Sequence, residues 1–494
     1  MQNKNEKEKI TFNIDKEGNF SDWFTEIVKK AELADIRYNI KGFVVFQPWS
    51  VIPMELMYRD LEKELQKTGH KPYWFPTVIP EKNFYLEKEH VEGFSPEVFW
   101  VTETGAGEKL EEKLALRPTS ETAFYQMFSL WIRSYNDLPF KSYQRAQVFR
   151  YETKATRPFL RSREFYWIES HNAFSSREEA LKQIKEDMEI TKKLITEKYA
   201  VPLIYFERPQ WDKFAGAEAS FAADTLMPDG RVIQLPATHL LSQQFPRAFN
   251  IKFVDKKGEE KFVWTTCYGP CVSRNFAAII SVHGDNNGLV FPFSLAPIQV
   301  IIIPIFREGK KELNKKIGKE AEAIKNKLIE LNLRAEIDYS EERIGNKFYF
   351  WEMKGIPLRI ELGEKELKQK KALLFRRDEK KKEFIAINSI PKKIALLGKE
   401  IDKNLLEKAE KKFNSSIVNA YSMGEVKKGI EGKKIVRANF CSLGMEAGKC
   451  AELIEKELSA SIRGERVGKK EVPKGKCVVC GKKAEVVVYI AKSY

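Results

Sequence analysis

Apolar positions between Ser21 and Asp35 recur every three or four residues. Trp23, Phe24, Ile27, Val28 and Ala31 fall on one side and predict an entry helix. The run GFVVFQPWS (42–50) reads as a strand, and Ile52–Lys67 reads as a long amphipathic helix through Met54, Leu56, Met57, Leu61 and Leu65, closed by Thr68-Gly69. PYWFPTVIP (72–80) reads as a further strand, in which Pro76 lacks an N–H and so suits an edge or an interface.

Alternation with period two is clearest between Arg145 and His171. Val148, Arg150 and Glu152 share one face of a first strand, and Phe165, Trp167, Glu169 and His171 share one face of a second. The connection Thr153–Ser162 exceeds a tight turn and carries Lys154, Arg157 and Arg161. On the hairpin alone two readings stand: a basic lid over an anion, or a solvated hairpin with an internal Arg–Glu pair.

Around this hairpin the pattern alternates between strands and helices. LALRPTSETAFYQMF gives a short strand and then a helix opened by Pro118-Thr119-Ser120-Glu121. Those hydroxyls and that carboxylate could cap the helix, or Thr119 and Glu121 could hold a cationic amine. Ser176–Tyr199 predicts a surface helix, Phe214 and Gly216 a strand or close turn, and Met227–Gly230 a hairpin. In CYGPCVSR a glycine turn leads into a helix with Ser273 and Arg274 at its start. A guanidinium beside a helix N-terminus can take a triphosphate tail, or Arg274 could pair with a surface carboxylate. Cys267 and Cys271 read as buried thiols without a metal role.

Ala296-Pro297 marks a boundary. Beyond it, IQVIIIPIF, a helical stripe from Leu313 to Leu331, AEIDYS, NKFYFWEMKG, IPLRIEL and KALLFRRD predict a small α/β unit with a mixed sheet. Its Lys and Arg density makes it the expected nucleic-acid arm. From about Ile401 a polar helix leads to a cysteine-bearing tail. Cys477-x-x-Cys480 has zinc-knuckle spacing, and Cys441 and Cys450 could complete four thiolates, the alternative being free thiols.

At 494 residues the chain needs several cores. The expected division is 1–295, 296–400 and 401–494, an α+β and α/β multidomain protein. With 43% hydrophobic and 31% charged residues it reads as soluble and globular, and a net charge of +15 favours a polyanionic partner, nucleic acid before membrane. The first ten residues lack an apolar signal segment, and the longest apolar run, near Val300–Ile303, is too short to span a bilayer, so a cytoplasmic location is expected.

Together the stretches KAELAD (30–35), LRPTSET (116–122), FRYE (149–152), RPFLRSREFYWIESH (157–171), KFAGA (213–217), VHGDNNGLV (282–290), KGIPLRIELG (354–363) and the tail GKCVVCGKKAEVVVYIAKSY resemble the prolyl-tRNA synthetases of the archaeal and eukaryote-like type, class IIa, over nearly the whole chain. The resemblance implies a class II catalytic domain on an antiparallel sheet, an α/β anticodon-binding domain, and a small α+β zinc-binding-like C-terminal domain whose Tyr494 approaches the active site. It implies attachment of L-proline to tRNA(Pro) through prolyl-adenylate, with ATP as substrate, Mg²⁺, structural Zn²⁺ and a homodimer.

Carried over by position, Thr119 and Glu121 would hold the imino nitrogen. Arg150 would hold the carboxylate and the α-phosphate. Trp167, Glu169, Phe214 and His239 would shape the proline pocket. Glu152, Arg161, Ser162, Gln234, Thr238, Ser273 and Arg274 would serve ATP, with Arg150 and Arg274 as the catalytic cations. Cys441, Cys450, Cys477 and Cys480 would bind the metal, and Glu352, Arg359 and Arg376 are candidate anticodon contacts.

Three departures stand out. Ala237 replaces a usual Thr, with Thr238 following; Cys271 stands where glycine is usual; and eight residues separate Cys441 from Cys450. Residues 151–273 leave no room for a large editing insertion. A threonyl or glycyl enzyme is the nearest rival; against the threonyl case no zinc-ligating His/Cys set is evident in the catalytic segment, and the tail and KFAGA favour proline. A non-catalytic synthetase-like RNA-binding protein is the other, disfavoured because Arg150, Glu152 and Arg274 remain.

Overall fold

The stripe near the N-terminus forms helix α1 (Phe20–Lys30), where Asn19 accepts the Asp22 N–H at 3.2 Å and Trp23, Phe24, Ile27 and Val28 are buried. The computed structural model describes residues 12–86, 97–153 and 155–494. Lys154 and the N-terminal residues 1–11 lie outside the described residues. Helix α2 runs Pro48–Lys67, opening earlier than expected because Pro48 takes its first turn, where the missing N–H costs nothing. The strand expected at 42–50 is therefore cut to Val45–Phe46, paired with Ala34–Asp35. The strand expected at 72–80 is also split. Strand β1 (Lys71–Pro72) pairs with the central sheet, and Val78–Pro80 joins a separate three-stranded sheet.

Helix α3 (Glu121–Trp131) precedes the central hairpin of β2 (Phe140–Phe149) and β3 (Glu164–Phe174). Its antiparallel register sets Gln144 opposite Glu169, Ala146 opposite Trp167 and Val148 opposite Phe165. Strand β2 stops at Phe149, so Arg150 and Glu152 stand on the connection, with Arg150 N–H on the Arg163 carbonyl at 2.9 Å. Helix α4 (Arg177–Thr191), capped by Ser176, continues as a π-helix over Lys192–Lys198. Strands β4 (Ile204–Glu207), β5 (Ala219–Leu226), β6 (Arg231–Ser242) and β7 (Trp264–Gly269) complete this part of the antiparallel sheet, and α5 (Val272–His283) follows. The main core joins the sheet to the helices. Trp23, Met57, Ile190 and Phe276 from the helices meet Tyr143, Ile168, Tyr205 and Tyr268 from the strands.

The second unit is the expected mixed sheet. Strands β8 (Val300–Pro304), β9 (Ala335–Ile337) and β10 (Leu358–Leu362) are parallel because helices α6 (Lys311–Glu330) and α7 (Ile344–Met353) supply the crossovers. Strands β11 (Lys371–Arg376) and β12 (Lys381–Ala386) are antiparallel. Helix α8 runs Ile390–Asn414, so the polar helix expected from Ile401 is the second half of a longer one.

The C-terminal strands β13 (Ile417–Ala420), β14 (Ile435–Phe440), β15 (Ser461–Arg466) and β16 (Val486–Ser493), with helix α9 (Gly448–Leu458), form no detached unit. Strand β15 pairs with β4, and the end of β16 pairs with β6, giving one eleven-stranded sheet in the order β13-β14-β16-β15-β4-β5-β6-β7-β3-β2-β1. An edge that would otherwise be open is thereby covered. Gly464 makes the junction possible. At φ +119° it lets the backbones approach so closely that a Cβ there would lie 1.9 Å from the Glu207 carbonyl oxygen.

Candidate active site

A cavity of about 200 Å³ opens on the sheet where α3, the β2–β3 hairpin, β5, β6 and α5 converge. Glu169, fully buried on β3, organises its floor from behind. It accepts from Thr119 Oγ1, the Ser120 N–H and Gln144 Nε2, each at 3.1 Å. Ser120 makes no capping bond, and its hydroxyl accepts from Gln144 at 3.0 Å. The helix start is thus tied to β3, and Ser120 does not act as its cap. Of the residues expected to shape the pocket, Glu169 does not line it: Thr119 and Glu121 do, and Glu169 stands behind them. Burial works to raise the Glu169 carboxyl, but His171, Ser120 and Arg117 outweigh it and hold the group below its ordinary value.

Thr119 has one hydroxyl proton and two carboxylates in reach, Glu121 and Glu169. Any donor arriving in the cavity therefore finds an acceptor to spare. Cys267 also donates to Glu121, at 3.4 Å, and burial pushes its thiol well above the ordinary range, so it stays a neutral donor. Glu121, His171 and Cys267 place one ligand atom each within 4.8 Å of one another. Strand pairing joins His171 and Cys267 across 96 residues of chain, a closeness the local pattern did not show.

One wall is aromatic. Trp167 lies against Gly269, where a Cβ would sit 3.1 Å from the indole, and its buried N–H has no acceptor among the described residues. Phe214 faces His239 with ring centroids 4.7 Å apart, and His239 Nδ1 meets the Ser220 hydroxyl at 2.8 Å. Burial, then Arg208 and His171, lowers His239 to about 3, so this wall is uncharged at neutral pH.

The opposite side is cationic. Arg150 donates from Nε to the Pro118 carbonyl at 3.1 Å and lies over the Phe165 ring at 5.2 Å. Burial lowers its pKa, Glu97 opposes this, and Arg274 lowers it further. Arg274 reaches the Gln234 carbonyl at 3.5 Å, and its buried Nε has no partner among the described residues. Two half-buried guanidiniums facing one cavity give this side a positive potential.

Several expected nucleotide residues are placed elsewhere. Ser162 donates to the Glu164 carbonyl at 2.7 Å, within its own loop. Thr238 is fully buried and donates to Asp187 at 2.6 Å, because strand alternation turns Ala237 and His239 to the cavity and Thr238 away. Ser273 is buried one position before Arg274, its hydroxyl 3.4 Å from Cys271 Sγ. Glu152 and Arg161 pair with each other at 3.1 Å outside the cavity lining. Tyr494 donates to Asp229 at 2.7 Å and borders, instead of the cavity itself, a groove with Arg157 and Arg161, the latter one of the expected ATP residues.

The anticodon candidates are internally engaged. Arg359 pairs with Glu361 at 2.9 Å between the rings of Phe348 and Phe375. Arg376 pairs with Asp378 at 2.9 Å, and Glu352 accepts from Asn287 at 2.9 Å. Sequence reading missed Gln144, Arg208, Ser220 and Gly269. Gln144 sits one residue before the stretch read as a strand, Gly269 ends a strand where a glycine turn was expected, and nothing in the local pattern marks Arg208.

The four tail cysteines offer thiolate atoms that all lie within 4.8 Å of one another. The wide Cys441–Cys450 spacing is taken up by a loop and the turn Met445–Ala447, which return Cys450 to the first turn of α9. Four sulfurs so gathered fit a tetrahedral thiolate metal site.

The chain matches "tRNA synthetase class II core domain (G, H, P, S and T)" over residues 99–283, "Anticodon binding domain" over 299–396 and "Prolyl-tRNA synthetase, C-terminal" over 423–494. A proline–tRNA ligase of Thermofilum pendens is 48% identical over 97% of this chain and 98% of its own length. That of Methanopyrus kandleri is 41% identical over 96% of each. Prolyl-tRNA synthetase of Giardia lamblia, solved in complex with prolyl-adenylate, superposes with a TM-score of 0.94 at 36% identity, covering 98% of this chain and 100% of that one. The Cryptosporidium parvum enzyme, complexed with halofuginone and AMPPNP, gives 0.91 at 34% identity, covering 98% and 99%.

Proposed function

The chain belongs to the proline–tRNA ligases, class II prolyl-tRNA synthetases that activate proline and charge tRNA, and from that premise we propose how its own residues perform the reaction. The observation that carries the reading is the meeting of an acceptor pair, Thr119 and Glu121, with two guanidiniums, Arg150 and Arg274, around one cavity of about 200 Å³.

The imino nitrogen of proline, as its cation, donates to Glu121 and Thr119, while the ring lies against Trp167, Phe214 and His239. A neutral His239 adds no charge opposed to that cation. Arg150 holds the proline carboxylate beside the α-phosphate of ATP. Arg274 takes the γ-phosphate and Gln234 the nucleotide, while Glu152 and Arg161, paired with each other outside the cavity lining, would face the adenine and phosphates.

A carboxylate oxygen attacks the α-phosphorus in line, the bond to the bridging oxygen breaks, and pyrophosphate leaves with its electron pair. A ribose hydroxyl of tRNA(Pro) then attacks the adenylate carbonyl, giving prolyl-tRNA and AMP. Positioning and charge neutralisation suffice, and no covalent enzyme intermediate is needed. ATP enters as its Mg²⁺ complex, which spreads the phosphate charge.

Cys441, Cys450, Cys477 and Cys480 would hold a structural Zn²⁺ that ties β14, α9 and the tail turn together. The units 1–295, 296–400 and 401–494 serve catalysis, anticodon binding and metal-stabilised support. A homodimer is supported by the exposed apolar residues Ile36, Tyr38, Ile40 and Val45 and by Trp74, which is 92% exposed. The reaction belongs in the cytoplasm, and among the described residues no helix is long and apolar enough to cross a membrane. Residues 151–273 carry no cis-editing insertion, so alanyl-tRNA persists with the purified enzyme; its rapid hydrolysis would refute this.

The test is amino-acid-dependent exchange of pyrophosphate into ATP across all twenty amino acids. Exchange with proline alone is expected, abolished in a folded Arg150→Ala variant. Near-normal kcat/KM in that variant would overturn the site assignment.

A further inference from the structure

We propose that Arg463, on β15 of the C-terminal region, is a positioning residue for the active site: it immobilises Arg208, and through it the side-chain amide of Gln234 in the cavity wall. This deepens the assignment of Gln234 to the nucleotide and rests on it.

Asp224, fully buried on β5, accepts from both arginines. Arg208 reaches it from Nη1 at 3.1 Å and Nη2 at 2.7 Å, and Arg463 from Nε at 2.8 Å and Nη2 at 3.3 Å. Arg463 grips Arg208 a second way, since its backbone carbonyl accepts from Arg208 Nη1 at 2.8 Å. Both side chains are nearly inaccessible, Arg208 at 3% and Arg463 at 8%. A guanidinium so buried keeps one orientation only while its acceptors stay in place.

What that orientation controls is Gln234. Arg208 Nη2 donates to Gln234 Oε1 at 3.1 Å. A guanidinium has donors and no acceptor, so the amide must turn its oxygen toward Arg208. Its NH₂ is then the end left for a ligand, and a phosphate, ribose hydroxyl or carboxylate oxygen can accept from it. Without the fixed guanidinium the amide is free to flip and present oxygen to an anion, which repels it. Gly464 supports the arrangement, because its positive φ allows the close approach of β15 to Glu207 that puts the Arg463 carbonyl beside Arg208.

Pyrophosphate exchange on the full chain tests this, using Arg463→Met, Arg463→Lys, Gln234→Ala and the double variant Arg463→Met/Gln234→Ala. Wild type is measured first; a wild type without proline-dependent exchange would sink the activity reading and not this one. The expected result for Arg463→Met is a KM for ATP raised about tenfold or more, with KM for proline within about twofold. Gln234→Ala behaves alike, and the double variant is no worse than the poorer single, as for residues acting along one route. Arg463→Lys keeps the charge and loses the two-armed grip, so it falls between; should the Met variant not fold, Lys carries the test. Additive losses, equal rises in both KM values, or a folded Arg463 variant with wild-type KM for ATP would overturn the proposal.

Discussion

Arg377, 1% exposed on the turn after β11, grips Asp285 with both guanidinium arms, at 2.7 and 2.6 Å. Asp285 follows directly on α5, the helix that begins beside Arg274, so the end of this helix is anchored to the anticodon-binding unit. Burial alone would raise the Asp285 carboxyl, but Arg377 and Lys380 outweigh it and hold the group at about 2. The folded value lies below the unfolded one, so the pair's stabilisation is complete above about pH 4 and is lost as pH falls through 2. The expected outcome is that Asp285→Asn melts below wild type at neutral pH, by up to about 2 kcal/mol of stability, with the gap closing between about pH 4 and about pH 2. Melting curves across pH check it, and a constant gap would count against an ionic origin.

Glu169 touches no substrate in the proposed mechanism, yet three donors depend on it. Glu169→Gln replaces one acceptor oxygen by an NH₂ that faces those donors, leaving buried groups unpaired at about 1–3 kcal/mol. The consequence falls on Thr119 and so on proline. Steady-state exchange is expected to give a KM for proline raised about tenfold to a hundredfold while KM for ATP holds. Equal effects on the two substrates would mean the network supports the fold at large.

The hairpin was legible in the sequence because alternation is local, whereas Thr119, Glu121, Arg150 and Arg274 stood out by residue type beside a helix start or a strand end, and their convergence on one cavity was not visible. Thr238 and Ser273 were misplaced because a strand or helix turn one residue along points the other way, and neighbouring chemistry looks alike in one dimension. Glu169 was read on the correct face of β3, but the sequence gives no depth along that face. Arg208 and Arg463 were invisible for another reason: the β15–β4 pairing that joins them links residues 255 positions apart. The same holds for the sheet of the C-terminal domain, whose joining to the catalytic sheet through β15–β4 and β16–β6 no local pattern shows.

Gly269 gives Trp167 its place. A methyl group there would lie 3.1 and 3.4 Å from the indole carbons, and the ring, packed with Ala146, Val148 and Cys271, has little room to retreat. Gly269→Ala is expected to push the wall into the proline pocket at about 1–3 kcal/mol, raising KM for proline about tenfold or more. Fluorescence of Trp167 in the variant, beside exchange kinetics, reads the displacement. Unchanged kinetics with a shifted spectrum would remove Trp167 from the proline pocket.

The four sulfurs of Cys441, Cys450, Cys477 and Cys480 converge from a strand end, the first turn of α9 and the tail turn. Cys477 and Cys450 are buried, whereas Cys480 is exposed, so chelators have a route to the site. Elemental analysis of the purified chain is expected to give one zinc per protomer, and Cys480→Ser to retain less than about a fifth of it, because three thiolates bind far more weakly than four. Since β15 and β16 join the catalytic sheet, metal loss should also lower the melting temperature of the whole chain, and protease cleavage should begin in residues 441–480. A zinc-free wild type that melts at the same temperature with and without added zinc would assign the cluster to ordinary thiols.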